Sequence, residues 1–569
     1  MNEETKARIE FWMSDAFDSE THREIEELSI SDPNILEDSF YKTLDFGTGG
    51  LRGEMGVGSN RMNLYTVAMA TQGLADYLLE QFHDEVKVAI AYDSRNGSPE
   101  FARKAAEVLS ANSISVYLYD KLRPTPLLSF TVRQLDCKAG IVITASHNPK
   151  EYNGYKVYWD DGGQLVPPHD KGVISMVRLI DSPDKVKMNV QEELINPVPI
   201  EVESNYYAEV QALSLIDQNS RAKKELSIIY TALHGTGITM IPRALENAGF
   251  SSVHVLESQQ EPDGDFPTVQ SPNPEESSAM KMALDKAEEI SADIILGTDP
   301  DTDRVGMGIR NKNGQMELIN GNQAAALLLH FLLEKLSAEK KNTGFVAKTI
   351  VTSDLLSKIA ESHNVPCYET LTGFKYIAEQ IRLREGQRKF IGGGEESYGY
   401  LVGDFVRDKD AVISSVMLCE MAAWSREKGI PVIELLNEVY AKYGMYRETL
   451  VSLVKKGMAG AEEISEIMTS YRNEVPEVIA GIKVLAVSDY LNSEKTDVST
   501  GSKRPIELPS SNVLQFHMED GSKITARPSG TEPKIKYYIS VKQDITSDPE
   551  VSWEKAGSRI EDFKEALGI

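Results

Sequence analysis

With 569 residues the chain is too long for one hydrophobic core and must split into several domains. Its composition, 41% hydrophobic and 26% charged, is that of a globular protein and excludes a disordered or fibrous class. The 60 Lys and Arg against 87 Asp and Glu leave a net charge of −27, which argues against nucleic acid or an anionic membrane as partner and makes any anion site a local basic pocket.

The N-terminal MNEETKARIEFW is acidic and amphipathic, so it reads as a helix and not as a signal peptide. Next comes DFGTGGLRGEMG, which lacks the GK[ST] of a Walker loop and carries Arg52 where GxGxxG needs its third glycine. It is no nucleotide fingerprint, but Arg52 in a glycine-rich loop suits stabilisation of a transferring phosphoryl group. The stretch VKVAIAYDSR, SPEFARKAAEVLSA, SVYLYD follows as strand, helix and strand, with Ser98 expected as helix cap and Pro99 at the first helical position. Phe101, Ala105, Val108 and Leu109 fall on one apolar face of that helix.

Ala139–Ala145 then reads as a buried strand that ends abruptly in Ser146-His147-Asn148-Pro149. Ligands of open α/β sheets bind off the carboxyl ends of strands, which places Ser146 as a candidate nucleophile. TASHN lacks the GxSxG elbow of a serine hydrolase. Neighbouring extended residues point apart, so His147 is not expected to deprotonate Ser146 directly.

LSIIYTALHGTG, IPRALENAGF and SVHVLE repeat the strand–helix–strand layout, and Gly249 stands where a helix end favours a left-handed residue. After the apolar strand ADIILG, DPDTDR supplies Asp299, Asp301 and Asp303 at i, i+2 and i+4. In an extended loop these carboxylates share one side, and an all-oxygen set with open positions suits Mg²⁺. An EF-hand is excluded, because Arg304 occupies the glycine position and Arg310 the position of the bidentate glutamate.

The longest apolar run, Ala324–Leu333, is interrupted by His330 and too short to span a bilayer. GFVAKTIVTSD, LLSKIAESHN and VPCYE make a third strand–helix–strand unit, with Asn364 at a helix end. FIGGGEESYGY carries Glu395 and Ser397 beside a glycine run, a set able to read sugar hydroxyls. The interval from about 440 to 495 reads as helical and charged. The last eighty residues read as antiparallel strands joined by a Gly-Ser turn and closed by a helix. Within them ARPSGTEPK puts Arg527, Ser529, Gly530 and Thr531 into an anion cradle for a phosphate monoester. Cys137, Cys367 and Cys419 are far apart and lack CxxC spacing, so free thiols in a cytoplasmic protein are expected.

Three strand–helix–strand units in series predict an α/β fold: three similar mixed-sheet domains plus a smaller C-terminal α+β domain around a central cleft. The expected bounds are 1–205, 206–320, 321–440 and 441–569.

Taken in order, TASHNP, DPDTDR, GEES and RPSGT resemble the phosphoserine, metal, sugar-specificity and phosphate-binding loops of the α-D-phosphohexomutase superfamily. The likeness covers essentially the whole chain, and its length matches the longer phosphoglucomutase subgroup, which also includes phosphopentomutases. LTGFKY and RDKD resemble further substrate segments, which adds Thr370, Gly373, Lys375 and Lys409, together with Arg304, to the expected substrate-binding residues. The resemblance implies a resting phosphoserine at Ser146. It further implies one Mg²⁺ per chain held by Ser146, Asp299, Asp301 and Asp303, and acid–base or electrostatic roles for Arg52, His147 and Lys156. The implied reaction interconverts glucose 1-phosphate and glucose 6-phosphate through glucose 1,6-bisphosphate, which also serves as activator. A pentose 1-phosphate is the alternative substrate. A phosphomannomutase and a Mg²⁺-dependent phosphatase are remoter readings, since a phosphatase must admit water that a mutase excludes. Small-molecule sugar phosphates are the expected partners.

Overall fold

The computed structural model describes residues 1–47, 49–455, 457–529, 534–545 and 548–569. It forms three α/β domains followed by a β-rich C-terminal domain. By packing it divides into two compact units: Met1–Gly321 with Phe374–Gly392 and Ser397–Gly429, and Asn322–Gly373 with Gly393–Glu396 and Ile430–Ile569.

Each of the three expected strand–helix–strand units closes as a parallel pair. Lys87–Tyr92 pairs with Ser115–Leu118, Ile228–Thr231 with Val253–Val255, and Gly344–Thr349 with Cys367–Thr370. A helix lies between the strands of each: Ser98–Ala111, Ile241–Asn247 and Asp354–Ser362. Gly249 and Asn364 follow the second and third helices with φ of 95° and 57°. In the first helix Phe101, Ala105, Val108 and Leu109 are all buried. Its cap differs from expectation. Gly97, at φ 74°, precedes the helix, while the Ser98 hydroxyl donates to Asp93 Oδ1 at 2.9 Å. The buried carboxylate takes the hydroxyl that would otherwise cap the backbone.

The first unit holds two mixed sheets. One runs Gly50–Glu54, Tyr152–Trp159, Ala139–Ile143, Lys87–Tyr92, Ser115–Leu118 and Ile195–Pro197 across the sheet. The other runs Met316–Ile319, Val305–Arg310, Ile294–Thr298, Ile228–Thr231 and Val253–Val255. Ala139–Ile143 and Ile294–Thr298, the strands that lead into the two acidic and hydroxyl motifs, are central and wholly buried. Three helices, Glu3–Trp12, Ser19–Ser31 and Pro33–Phe40, open the chain around Trp12, Phe17, Ile25, Leu36 and Phe40.

In the second unit the C-terminal sheet orders Met445–Val454, Lys534–Gln543, Lys523–Pro528, Leu514–Met518, Ile482–Asp489, Glu494–Asp497 and Lys503–Pro505. Leu514–Met518 and Lys523–Pro528 form the expected hairpin, and Pro549–Leu567 is the closing helix. The interval 440–495 is not uniformly helical. Met445–Val454 is a strand with alternating burial, Gly457–Asn473 is a helix, and Ile482–Asp489 is a strand. Arg447 and Glu448, the charged residues of Met445–Val454, are neighbours and so fall on opposite faces of the strand, while its exposed positions are Leu450, Ser452 and Val454. The apolar run Ala324–Leu333 lies in the helix Gly321–Lys335, buried on all sides. Among the described residues no helix is long and apolar enough to cross a membrane.

Candidate active site

The strand Ala139–Ile143 delivers Ser146 at φ 52°, a left-handed backbone held by a hydrogen bond from its own N–H to Thr144 Oγ1 at 2.8 Å. That conformation corrects the expectation for His147. Ser146 is not extended, so the two side chains turn toward each other, and Ser146 Oγ lies 3.1 Å from His147 Nδ1. The same Oγ donates to Asp299 Oδ2 at 2.7 Å, and Ser146 is only 3% exposed. Burial, then the nearby Arg304 and Arg52, hold the His147 pKa well below the ordinary imidazole value, so the ring is neutral.

Behind this loop sits Arg95, which sequence reasoning passed over. Its Nη1 donates to the carbonyls of Pro149 and Tyr152 at 2.8 and 2.9 Å, and its Nη2 to those of Ser146, at 2.6 Å, and Asn148. One buried guanidinium therefore fixes the backbone from Ser146 to Tyr152. Asp93 pairs with Arg95 Nε at 3.4 Å and accepts from Thr144 Oγ1 at 2.6 Å, while the guanidinium lies 5.0 Å from the ring centre of Phe266. The DSR sequence gave no signal for this, because an arginine near a strand end reads as surface.

The three aspartates follow the strand Ile294–Thr298 and are buried to 1% exposure or less. They converge, each offering an oxygen within 4.8 Å of the others. Extended alternation does not bring this about, since the loop turns: Thr302 has φ 58° and its N–H reaches Asp299 O at 3.0 Å. Asp299 Oδ1 then accepts the backbone N–H groups of Asp303 and Arg304 at 3.1 and 3.0 Å. Thr236 braces the turn, its N–H and Oγ1 each 2.8 Å from Pro300 O. A Cβ on the preceding Gly235 would meet Pro300 Cα at 2.4 Å, so the close approach requires glycine there.

Two lysines enter the cluster. Lys156 Nζ reaches Asp301 Oδ2 at 2.6 Å and Asp303 Oδ2 at 3.1 Å, and Lys409 Nζ reaches Asp303 Oδ2 at 3.0 Å. Burial works against charge on Asp303, but Lys156 and Lys409 outweigh it and hold its pKa far below the usual range. Asp299 is pushed the other way, first by burial and then by the charges of Asp301 and Asp303. Asp301 Oδ1 and Asp303 Oδ1 are buried and accept no hydrogen bond among the described residues, with Arg304 Nε 3.9 Å from the latter. Buried unpartnered carboxylate oxygens beside a like-charged neighbour are what a hard divalent cation relieves, so these residues fit Mg²⁺.

Arg52 stands on the strand Gly50–Glu54 opposite Gly154 and donates to Asn148 Oδ1 at 3.3 Å. Arg304 Nη1 pairs with Glu275 at 2.5 Å. Lys375 is half-buried in the first turn of the helix Phe374–Leu383, and Ser397 is half-buried in the first unit. Thr370, Gly373, Glu395, Arg527 and Ser529 belong to the second unit. There Glu395 Oε1 accepts the Gly373 N–H at 3.0 Å, and Arg527 hydrogen-bonds Tyr538, whose hydroxyl also feels Glu396 and Glu395. Thr370 is buried and its hydroxyl donates to Leu371 O at 3.0 Å, so it shapes the loop from within. The backbone N–H of Ser529 closes on Lys534 O at 2.7 Å. Gly530 and Thr531 lie outside the described residues.

The chain matches three successive domains of one family: phosphoglucomutase/phosphomannomutase alpha/beta/alpha domain I over residues 43–184, domain II over 204–313 and domain III over 320–443. It belongs to the phosphoglucomutase/phosphomannomutase family. A phosphoglucomutase of Staphylococcus epidermidis is 40% identical over 506 residues, 88% of this chain and 91% of that protein. A phosphoglucomutase of Staphylococcus aureus is 38% identical over 536 residues, 94% of this chain and 95% of that protein. Among solved structures, parafusin (a phosphoglucomutase) from Paramecium in its open form aligns at TM-score 0.67 and 19% identity, over 93% of this chain and 96% of that one. A family protein from Burkholderia thailandensis aligns at 0.65 and 17%, over 91% and 97%. These two alignments speak for the fold.

Proposed function

We propose that this chain is a phosphoglucomutase that interconverts glucose 1-phosphate and glucose 6-phosphate through a phosphorylated Ser146. The observation that carries the reading is the placement of Ser146 Oγ, 2.7 Å from Asp299, in a cluster where two buried aspartate oxygens lack partners. The long relatives named phosphoglucomutase favour glucose over a pentose.

Asp299, Asp301 and Asp303 would hold Mg²⁺, which supplies positive charge to the phosphoryl oxygens when bound. The remaining work falls to this chain's own groups. A hydroxyl of glucose 1-phosphate takes the phosphoryl group from Ser146, giving glucose 1,6-bisphosphate, and the other phosphate of that intermediate returns to Ser146 Oγ. In the first transfer the attacking hydroxyl gives up its proton as the freed Ser146 oxygen takes one. On the return, the serine proton passes to the neutral His147 at Nδ1, its neighbour at 3.1 Å, and the released sugar oxygen takes a proton in exchange. Lys156 and Arg52 offset charge at the transferring group, and Arg95 holds the loop still while charge moves. Arg304, Thr370, Gly373, Lys375, Glu395, Ser397 and Lys409 bind the substrate, and Arg527, Ser529, Gly530 and Thr531 hold the non-reacting phosphate. Glucose 1,6-bisphosphate primes Ser146, and the reaction takes place in the cytoplasm.

The test is turnover of the purified chain with Mg²⁺ and a trace of glucose 1,6-bisphosphate, comparing glucose 1-phosphate with ribose 1-phosphate. Glucose 1-phosphate is expected to be strongly preferred, and Ser146→Ala to abolish turnover while the protein stays folded. Preference for ribose 1-phosphate would reassign the substrate, and turnover by Ser146→Ala would remove the covalent route.

A further inference from the structure

Three helices of the second unit end or pass at one cluster that shares no residue with the site above. His330 and Glu334 stand one turn apart on Gly321–Lys335, His363 caps Asp354–Ser362, and Tyr443 closes Val432–Tyr443. Glu334 Oε1 lies 4.0 Å from His330 Nδ1 and 3.5 Å from His363 Nε2. Tyr443 Oη lies 3.2 Å from the same His330 nitrogen and 3.5 Å from the same His363 nitrogen. His330, Glu334 and His363 thus offer donor atoms that all fall within 4.8 Å of one another.

We propose that His330, Glu334 and His363, with Tyr443 beside them, form a second divalent-metal site, built for a transition ion of the zinc type. The donor set decides the class: two imidazole nitrogens with one carboxylate suit zinc, whereas Mg²⁺ takes oxygen ligands. Spacing agrees, because zinc bonds of about 2.0–2.1 Å in a tetrahedron put neighbouring donors about 3.3–3.4 Å apart. The Glu334 to His363 separation of 3.5 Å lies close to that value, and His330 Nδ1, 4.0 Å from Glu334, has about 0.6 Å to close. His330 and His363 side chains are 6% and 12% exposed, so both imidazoles stand largely out of water beside Glu334. A second observation concerns Lys442, whose ammonium already rests on Glu334 Oε1 at 2.8 Å. The carboxylate facing the two imidazoles thus attracts a cation in this fold. Lys442 is 51% exposed, so an incoming ion displaces it into water with little loss. A bound ion would tie three helix segments together just before the strand Met445–Val454 enters the C-terminal sheet.

The experiment uses the full chain carrying Asp301→Asn, which removes one ligand of the active-site metal cluster, and titrates the chelator-stripped protein with Zn²⁺ and, separately, Mg²⁺. Expected are one Zn²⁺ per chain, a rise in Tm with Zn²⁺, and no rise with Mg²⁺. Loss of an outer-shell partner alone weakens metal sites about 10–100-fold, so adding His330→Ala and His363→Ala should weaken Zn²⁺ binding by more than about 100-fold. Co²⁺ bound to the Asp301→Asn protein provides a readout that needs no further variant, since an intense tetrahedral visible spectrum is expected. Absence of Zn²⁺ binding, binding that survives in the double-histidine variant, or a weak octahedral Co²⁺ spectrum would each overturn the proposal.

Discussion

Two clusters of this protein set buried lysines against carboxylates and balance them differently. In the first unit Lys156 and Lys409 meet Asp301 and Asp303, with Asp299 alongside as a third carboxylate. In the second unit Lys348 reaches Asp354 at 2.9 Å and Glu369 at 2.8 Å, and Lys523 reaches Asp354 at 2.8 Å. There two cations meet two anions, and among the described residues neither Asp354 nor Glu369 leaves a buried oxygen unpartnered. The first cluster leaves two such oxygens, on Asp301 and Asp303. Lysines and carboxylates thus make a closed ion network in the second unit and, in the first, a set with two buried oxygens that accept no hydrogen bond among the described residues, Arg304 Nε standing 3.9 Å from that of Asp303. Only the open set has capacity left over for chemistry.

The comparison breaks most visibly under substitution of one member from each cluster. Asp301→Asn removes one of the carboxylates that would hold Mg²⁺ under the proposed reading, on which several kcal/mol of transition-state charge stabilisation would depend. A fall of about 10³-fold in kcat is expected, with little change in Tm, because Lys156 retains Asp303. Lys348→Met attacks the closed network and should act in the opposite sense. Lys348 is fully buried, whereas its partners Asp354 and Glu369 are 33% and 48% exposed, so about 3 kcal/mol, the low end for a broken buried pair, is the expected loss. Urea denaturation should register that loss while kcat of the folded enzyme stays near the parent value. If both variants lost activity and stability in equal measure, the distinction between open and closed clusters would fail.

Arg95 presents a third solution, a buried cation satisfied chiefly by carbonyls. Lysine at this position keeps the charge but cannot reach the carbonyls of Ser146, Asn148, Pro149 and Tyr152 together. Arg95→Lys should therefore lower kcat about 100-fold through misplacement of Ser146, with KM little altered, as steady-state kinetics would show. This residue also marks the limit of what could be read from the sequence. Ser146 and the three aspartates were legible because each ends a buried apolar strand, and the strand–helix–strand repeats were legible from local periodicity. Arg95 was not, because the carbonyls it holds lie 51 to 57 positions away and leave no local pattern. The His147 orientation was missed for a related reason: it depends on the left-handed backbone of Ser146, which Arg95 and Thr144 hold in place. The strand Met445–Val454 was obscured because its water-facing positions include Leu450 and Val454, so polarity does not alternate along it.

Asp410 offers the gentlest test, since it is a buried carboxylate with no lysine or arginine among its hydrogen-bond partners in the described residues. It caps the helix Ala411–Glu427 through the N–H groups of Val412 and Ile413 at 2.8 and 3.2 Å and accepts from Tyr206 Oη at 2.6 Å. Burial outweighs these donors and raises its pKa from 3.8 to about 6. Between those values the folded state holds the proton more tightly than the unfolded chain does. Folding stability from this group must therefore fall as pH rises from about 4 to about 6 and stay level above that, with a slope of at most about 1.4 kcal/mol per pH unit. Asp410→Asn keeps a capping oxygen but cannot titrate, so it should flatten that part of the stability profile measured by denaturation at successive pH values. Were the slope to survive, Asp410 would be ionised throughout, and hydrogen-bond donors alone would suffice to hold a buried carboxylate. The unpartnered oxygens of Asp301 and Asp303 would then gain weight, because they lack even those donors.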